Sequence, residues 1–348
     1  MIRAEPLARL VTPRLTSFSR LFGLTLLVFV AVGFFLLLFG RNPIAAYQEI
    51  FKGSLGSAYG LSEVVVRAIP LMLCAVGTAI PARMGLLNVG AEGQLHAGAL
   101  AATWGALFLG FLPREILLPA LVVLGLLGGA AGAFGPALLR WKANVNETIS
   151  TLLLNYVIIL LVEYMVRGPW KDPASFNWPF TPEFPDAARL SFYWGTRIHA
   201  GLWFALVAIA LFYLALRRTR WGYEVRVIGD NPEAAARAGI PLGRHTLLAM
   251  CIGGGLAGLA GMAEVTAVQS RLRPGISTGF GYTGFLVSWL ALHHPLGIVV
   301  MALLLGVLSV GGDMVQISLG LPYSTVNIIM SLIFFIVLGS RYRRSRSA

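Results

Sequence analysis

The sequence predicts an all-α membrane protein of about ten transmembrane helices, some of them broken, and three observations carry that reading. Only 12% of the 348 residues are charged, whereas a soluble domain carries roughly 25%. Hydrophobic residues make up 57% of the chain and the mean hydropathy is +0.76. Apolar runs long enough to cross about 30 Å of hydrocarbon recur from end to end, with Lys and Arg gathered in alternate joints between them.

An arm at 1–20 carries Arg3, Arg9, Arg14 and Arg20 and leads into a first crossing near 21–40. That run lacks a small-x-small cleavage site, so it reads as a retained span. Further crossings are expected near 64–82, 86–110, 116–139, 148–166, 200–216, 246–268, 282–293, 296–312 and 323–339, followed by a basic tail at 341–348. The eighth is too short to span alone and reads as a half-crossing helix, which is tolerated where protein surrounds it. Gly253-Gly254-Gly255 and Gly258 to Gly261 mark close helix packing through small residues. A Gly-rich break at 85–98 follows the second crossing and another at 275–284 follows the seventh. Those two crossings run oppositely in this topology, which makes the halves candidates for an inverted repeat.

Orientation follows the basic residues. Arg83, Arg140, Lys142, Arg217, Arg218, Arg220, Arg226, Arg237 and Arg244 join both termini on one side and account, with them, for most of the 27 Lys and Arg. That side is expected to be the cytoplasm, with both termini on it. Arg271 and Arg273 fall outside, against the trend. The segment 167–199 is then the largest external loop, anchored by Trp170, Trp178 and Trp194. The net charge of +12 is explained by the cytoplasmic loops, and no nucleic-acid-binding module accompanies it. Cys74 and Cys251 both lie in apolar runs and imply neither a disulfide framework nor a metal site.

No catalytic set emerges. The chain has no Gly-x-x-x-x-Gly-Lys-Ser/Thr phosphate loop, and its five histidines show no metal-ligand spacing. Three polar segments stand out instead. In 85–98, Asn88, Glu92, Gln94 and His96 enter an otherwise apolar region, where an ionisable group costs roughly 2.5 kcal/mol or more. They either cap a broken helix or line a translocation path near a gate. In the second segment, Asn146 can cap the fifth crossing with Glu147 at its first position, while Thr151 and Asn155 recur at helical spacing. These too can line a pore or bond a neighbouring helix.

The third segment, 222–241, carries its own small helix between two apolar runs. Asp230 or Asn231 can cap it, Pro232 fits its first position, and Glu233 suits its positive end. Ala234, Ala235 and Ala236 propagate it, Arg237 follows Glu233 by four, and Gly239 with Pro241 stops it. A rigid capped helix in a loop between spans is suited to being gripped by another protein.

The sequences GLLNVGAEGQLHAGAL (85–100), NVNETISTLLLNY (144–156) and VRVIGDNPEAAARAGI (225–240) resemble the membrane permeases of bacterial ABC importers for branched-chain amino acids, simple sugars and nucleosides. The nucleoside (guanosine-type) and simple-sugar permeases are the most similar branch, over roughly residues 60–340. The resemblance implies that 222–241 is the coupling segment, with Gly229, Asn231, Pro232, Glu233, Ala234, Ala235, Arg237 and Gly239 at the contact with an ATPase subunit. It implies a place in the inner membrane of a bacterial cell, that this chain binds no cofactor and that ATP-Mg sits on the partner ATPase. It also implies a second permease, either a paralogous chain or a second copy, and a substrate-binding lipoprotein or periplasmic protein. Asn88, Glu92, Gln94, Asn146, Glu147, Thr151 and Asn155 are the path or gate candidates. The competing class is an ion-coupled secondary transporter, against which stand the scarcity of buried acid pairs and the unused capped helix.

Overall fold

The computed structural model describes residues 40–320 continuously, together with 26–27 and 30–38 before them and 328, 331, 332 and 336 after them. The arm at 1–20, the tail at 341–348 and nearly all of the crossing expected at 323–339 lie outside the described residues. Among the described residues the chain is helical and forms no strand beyond one isolated antiparallel bridge between Phe192 and His199. It divides into two compact units, one of the described residues up to Gly60 and from Val307 onward, the other from Leu61 to Gly306.

The first unit contains α1 (Pro43–Leu55), which the sequence reading missed because Gln48, Glu49 and Lys52 interrupt its apolar residues. Its signals are nonetheless present: the Asn42 side chain accepts the Ile44 N–H at 2.9 Å and Pro43 opens the helix. Val32, Leu36, Ala46 and Val315 form the core of this unit.

The second unit holds the site. Its helices are α2 (Ala58–Ala82), α3 (Ala91–Phe108), α4 (Arg114–Ala143), α5 (Glu147–Arg167), α6 (Gly201–Arg218), α7 (Arg220–Asp230), α8 (Pro232–Arg237), α9 (Leu242–Ala263), α10 (Phe280–Leu290) and α11 (Pro295–Leu319), with α2 and α11 each running on into the first unit. Six helices are long and apolar enough to cross a membrane, namely α2, α4, α5, α6, α9 with its π-helical extension to Gln269, and α11. A bent pair, Val30–Leu38 with α1, brings the number to seven if it counts as one span. Ten crossings are therefore not confirmed: six or seven qualify among the described residues, and the one expected at 323–339 lies outside them. At α3 the cause is Glu92, Gln94 and His96, which lower its hydropathy; at α10 it is length, since eleven residues rise only about 16 Å. The shortness of α10 agrees with the sequence reading of that crossing as too short to span alone.

Burial separates centre from periphery. The apolar window of α2 is 89% buried within the protein, whereas that of α5 is 28% buried. The exposed side of α5 presents Leu153, Tyr156, Val157, Leu160 and Tyr164, a surface suited to lipid or to another membrane chain.

The tightest packing is where α3, α4 and α9 meet. Gly258 of α9 sits directly on Gly125 and Gly129 of α4 and on Gly98 of α3, so a methyl group at Gly258 would overlap the Gly125 carbonyl and lie 2.7 Å from Gly129 Cα. Hydrocarbon gives helices no hydrophobic reason to associate, so such backbone approach is the main source of packing energy.

The end of this unit carrying Arg83, Arg140, Arg226 and Arg244 is here termed the basic end. At the opposite, loop end, the 167–199 segment lies along the residues that follow α9. Leu190, Phe184 and Thr181 donate N–H bonds to the carbonyls of Thr266, Ser270 and Leu272, at 3.2, 2.8 and 3.1 Å. Arg271 forms an ion pair with Glu183 and lies over the Phe180 ring. Arg271, which stood against the charge trend, is thus neutralised locally by an acid brought from 88 residues away.

Gly258→Val is expected to lower stability by about 3 kcal/mol or more, because backbone on two neighbours cannot give way. Gly135→Ala, at a position with nothing within 4 Å, is expected to melt at or above the parent temperature in detergent.

Candidate translocation site and coupling surface

Between α2 and α3 the chain leaves helix at 86–89, a stretch in which Leu86 and Asn88 are buried and Leu87 and Val89 half-buried. Its backbone groups have no ladder to join, so side chains must satisfy them. Asn88 Oδ1 accepts the Gly90 N–H at 3.0 Å and the Gln94 amide at 3.0 Å, while Asn88 Nδ2 donates to Gln94 Oε1 at 2.9 Å. The two amides thereby close on each other and rigidify the break.

Helix α5 supplies the rest. Asn146 caps it as predicted, accepting from Thr148 N at 2.9 Å. Glu147 at its first position accepts the Leu87 N–H at 3.1 Å and pairs with Arg140 at 3.3 Å. Two turns on, Asn155 Oδ1 accepts Gly93 N–H at 2.8 Å and its Nδ2 donates to the Val89 carbonyl at 3.0 Å. Asn155 thus spans the junction of the non-helical stretch and α3. Thr151 turns its hydroxyl onto the Glu147 carbonyl at 2.7 Å and its Cβ lies at Gly90. Asn88, Glu92, Gln94, Glu147, Thr151 and Asn155 are therefore one buried constellation, with His96 bonded to the Glu92 carbonyl at 2.8 Å. Asn146 stands apart from it, exposed at the helix start. The break is also shorter than the sequence suggests: Gly93 and Gly98 lie within α3, and the non-helical stretch ends at Gly90.

The second Gly-rich break meets the first. Gly281, in the first turn of α10, donates its N–H to Glu92 Oε2 at 2.7 Å, and the Tyr282 hydroxyl is 3.4 Å from Asn155 Nδ2. A side chain at Gly281 would overlap the Glu92 backbone, so only glycine admits this contact. Sequence reading marked both breaks without placing them together. The far end of α10 is held by Arg83, whose guanidinium donates to the His293 carbonyl at 2.7 Å. There Leu292 and His293 take left-handed φ values of 54° and 55°. Burial and the neighbouring Arg83 lower the His293 pKa to about 4, which leaves the ring neutral and bonded to the Ser288 hydroxyl at 2.9 Å.

At the basic end, 222–241 is two helices rather than a loop with one. Thr219 caps α7 through Gly222 N–H at 3.0 Å, and Gly222 and Gly229 let α7 lie against Leu216 and the Arg83 carbonyl. Asn231 then caps α8 through Ala234 N–H at 3.0 Å, with Pro232 at its first position. Ala235 alone of α8 is buried; Pro232, Glu233, Ala234, Ala236 and Arg237 are exposed, and no ion pair joins Glu233 to Arg237. Gly239, at φ 80°, ends the turn. His245 at the start of α9 binds Glu224 of α7 at 2.9 Å. Although burial opposes it, hydrogen bonds from Arg220 and His245 hold the Glu224 carboxyl below the usual range.

The family described as branched-chain amino acid transport system, permease component, matches residues 60–338, a span that takes in both breaks, α5 and the α7–α8 pair. The chain belongs to this permease family. It is 38% identical to the glucose ABC transporter permease protein TsgB13 of Haloferax volcanii, over 93% of this chain and 88% of the relative. It is 30% identical to the nucleoside ABC transporter permease protein NupB of Lactococcus lactis, over 89% of each chain. Identity to the guanosine ABC transporter permease protein NupP of Bacillus subtilis is also 30%, over 88% of each. The permease is thus a transport component with several membrane-spanning helices, and relatives named for sugars and for nucleosides both align over nearly its full length.

Asn155→Ala would leave the Gly93 N–H and the Val89 carbonyl buried and unpaired, at about 1–3 kcal/mol each. A clear drop in melting temperature is expected, whereas Tyr282→Phe, which removes only the long 3.4 Å contact, should barely move it.

Proposed function

We propose that the permease forms half of the pathway of an ATP-driven importer for a nucleoside or a related simple sugar. Its ATPase subunits bind at α8. The observation that carries the reading is α8 itself: a capped helix with five exposed residues, braced from behind by Ala235 and by the Glu224–His245 bond between α7 and α9. A helix so fixed on one side and bare on the other transmits force from a partner. Relatives named for glucose, nucleoside and guanosine transport support a solute that contains a sugar ring.

On this reading the basic end is cytoplasmic and the 167–199 segment faces a substrate-binding lipoprotein or periplasmic protein. A second permease, paralogous or identical, completes the pathway, and ATP-Mg is held by the ATPase. The polar constellation at 88–94 with Glu147, Thr151 and Asn155 borders the path, where broken helices place solute sites in transporters. The hydrogen bonds described above support its capping role, and the Glu92 carboxylate at the meeting point of two breaks is the group best placed for a gate.

Reconstituted alone in liposomes, the permease is expected to accumulate neither guanosine nor glucose under a proton or sodium gradient. Gradient-driven accumulation would overturn the importer reading in favour of a secondary transporter. Within the assembled complex, reversing charge at Glu233 and Arg237 together should leave the permease in the membrane and abolish ATP hydrolysis coupled to import. Normal import by that double variant would remove α8 as the docking element. Glu92→Gln keeps an oxygen for Gly281 and loses the charge, so import should fall more than assembly; loss of the purified complex would assign Glu92 to capping instead.

A further inference from the structure

Both ends of α10 are held by ions of opposite sign that come from one ten-residue stretch. Glu92 takes the N–H of Gly281 at the start of the helix, and Arg83 takes the carbonyl of His293 just past its end. Each charge matches the helix dipole: an anion at the positive N-terminus, a cation at the negative C-terminus. The main chain of Arg83 is also where α7 rests, because Gly229 leaves no room for a Cβ above the Arg83 carbonyl. Arg226 of α7 lies close enough to Arg83 to lower its pKa, after burial, which has the larger effect.

The contacts form a continuous mechanical line. It runs from α8 through α7 to Arg83, and from Arg83 through α10 to the Glu92 carboxylate among the breaks. Helix α10 has the properties of a moving part. It is too short to span, it is flanked by Gly279 at φ 92° and by the left-handed pair Leu292–His293, and it is fixed at each end by one charged side chain. Packed helices rearrange between discrete positions, and a half-helix with a hinge at each end is a natural two-state element.

We propose that α10 is the gate of this permease, and that Arg83 and Glu92 are the positioning residues that clamp it, Arg83 passing on the movement of α7. The proposal rests on α8 being the ATPase-docking element.

The test uses the complete complex, with Cys74 and Cys251 replaced by Ala and spin labels at Leu292 and Phe134, both exposed. The label separation is measured by electron paramagnetic resonance without nucleotide and after trapping with ATP and vanadate. Trapping is expected to shift the separation in the parent. The shift should be lost in Arg83→Gln and in Glu92→Gln, while the ATPase still co-purifies. ATP hydrolysis coupled to import should fall at least about tenfold in both, the factor that one charge-assisted hydrogen bond carries. Should Arg83→Gln fail to assemble, Arg83→Lys, which retains charge but loses the fork, is expected to show a reduced shift.

An unchanged separation in the trapped parent overturns the gate. A full shift in Arg83→Gln, or in Arg83→Lys where that variant is used, overturns the transmission role. The Glu233 and Arg237 reversal, run in parallel, separates the two readings. If it is harmless while the Arg83 variant abolishes the shift, the docking assignment fails and the clamp stands.

Discussion

A buried chain that leaves its helix must find partners for every N–H and C=O it frees, and the stretch from Leu86 to Gly90 imposes that demand on the rest of the permease. Its solution consumes side chains from two places at once, Asn88 braced by Gln94 locally and Glu147 with Asn155 on α5, while the neighbouring Glu92 serves the start of α10. Each neutral bond contributes about 1 kcal/mol net, but leaving its partner unmade costs more. The network is therefore fixed less by what each bond gains than by what any omission would cost. That asymmetry accounts for acids and amides in a region where every one of them is expensive to insert.

Glycine makes the network reachable. Gly281 admits Glu92, Gly93 admits Asn155, and Gly90 admits Thr151 and Gln94; any side chain at these three positions would push the donor and acceptor apart. The same device operates at the packed centre, where Gly98, Gly125, Gly129 and Gly258 bring α3, α4 and α9 together. Polar satisfaction and close packing are thus one arrangement, because backbone can be hydrogen-bonded by a neighbouring helix only where nothing stands between them.

Local signals in the sequence foretold local structure well. Asn146 before Glu147 and Asn231 before Pro232 both cap the helices they should, since capping depends on residues within one turn. The short α10 and the two Gly-rich breaks were legible for the same reason. Pairings across the chain were not. Nothing within 85–98 indicates that Glu92 will hold Gly281, 189 positions away, or that Arg271 will find Glu183. Helix α1 escaped notice because it is polar by composition though capped by pattern, and α7 because its 220–230 segment reads as a charged loop until its buried face, Gly222, Val225 and Ile228, is seen. Two of the expected crossings do not qualify by length and hydropathy: α10 is apolar but short, and α3 is long enough but carries Glu92, Gln94 and His96.

The placement of α3 gives that last discrepancy a physical sense. A helix with Glu92, Gln94 and His96 in its first two turns is poorly suited to face lipid, yet nearly all of that segment is buried. It can stand within a bundle only if its neighbours cover it, and α4, α5, α9 and α10 do so. The polar first turns of α3 are consequently enclosed, while α5, whose outer face is apolar and exposed, lies at the edge. The few buried acids and amides are thus set within an interior that is otherwise mainly apolar, away from the exposed apolar face of α5. Among the described residues they gather where the two Gly-rich breaks meet, and the short α10 beside them is held by a charged side chain at each end.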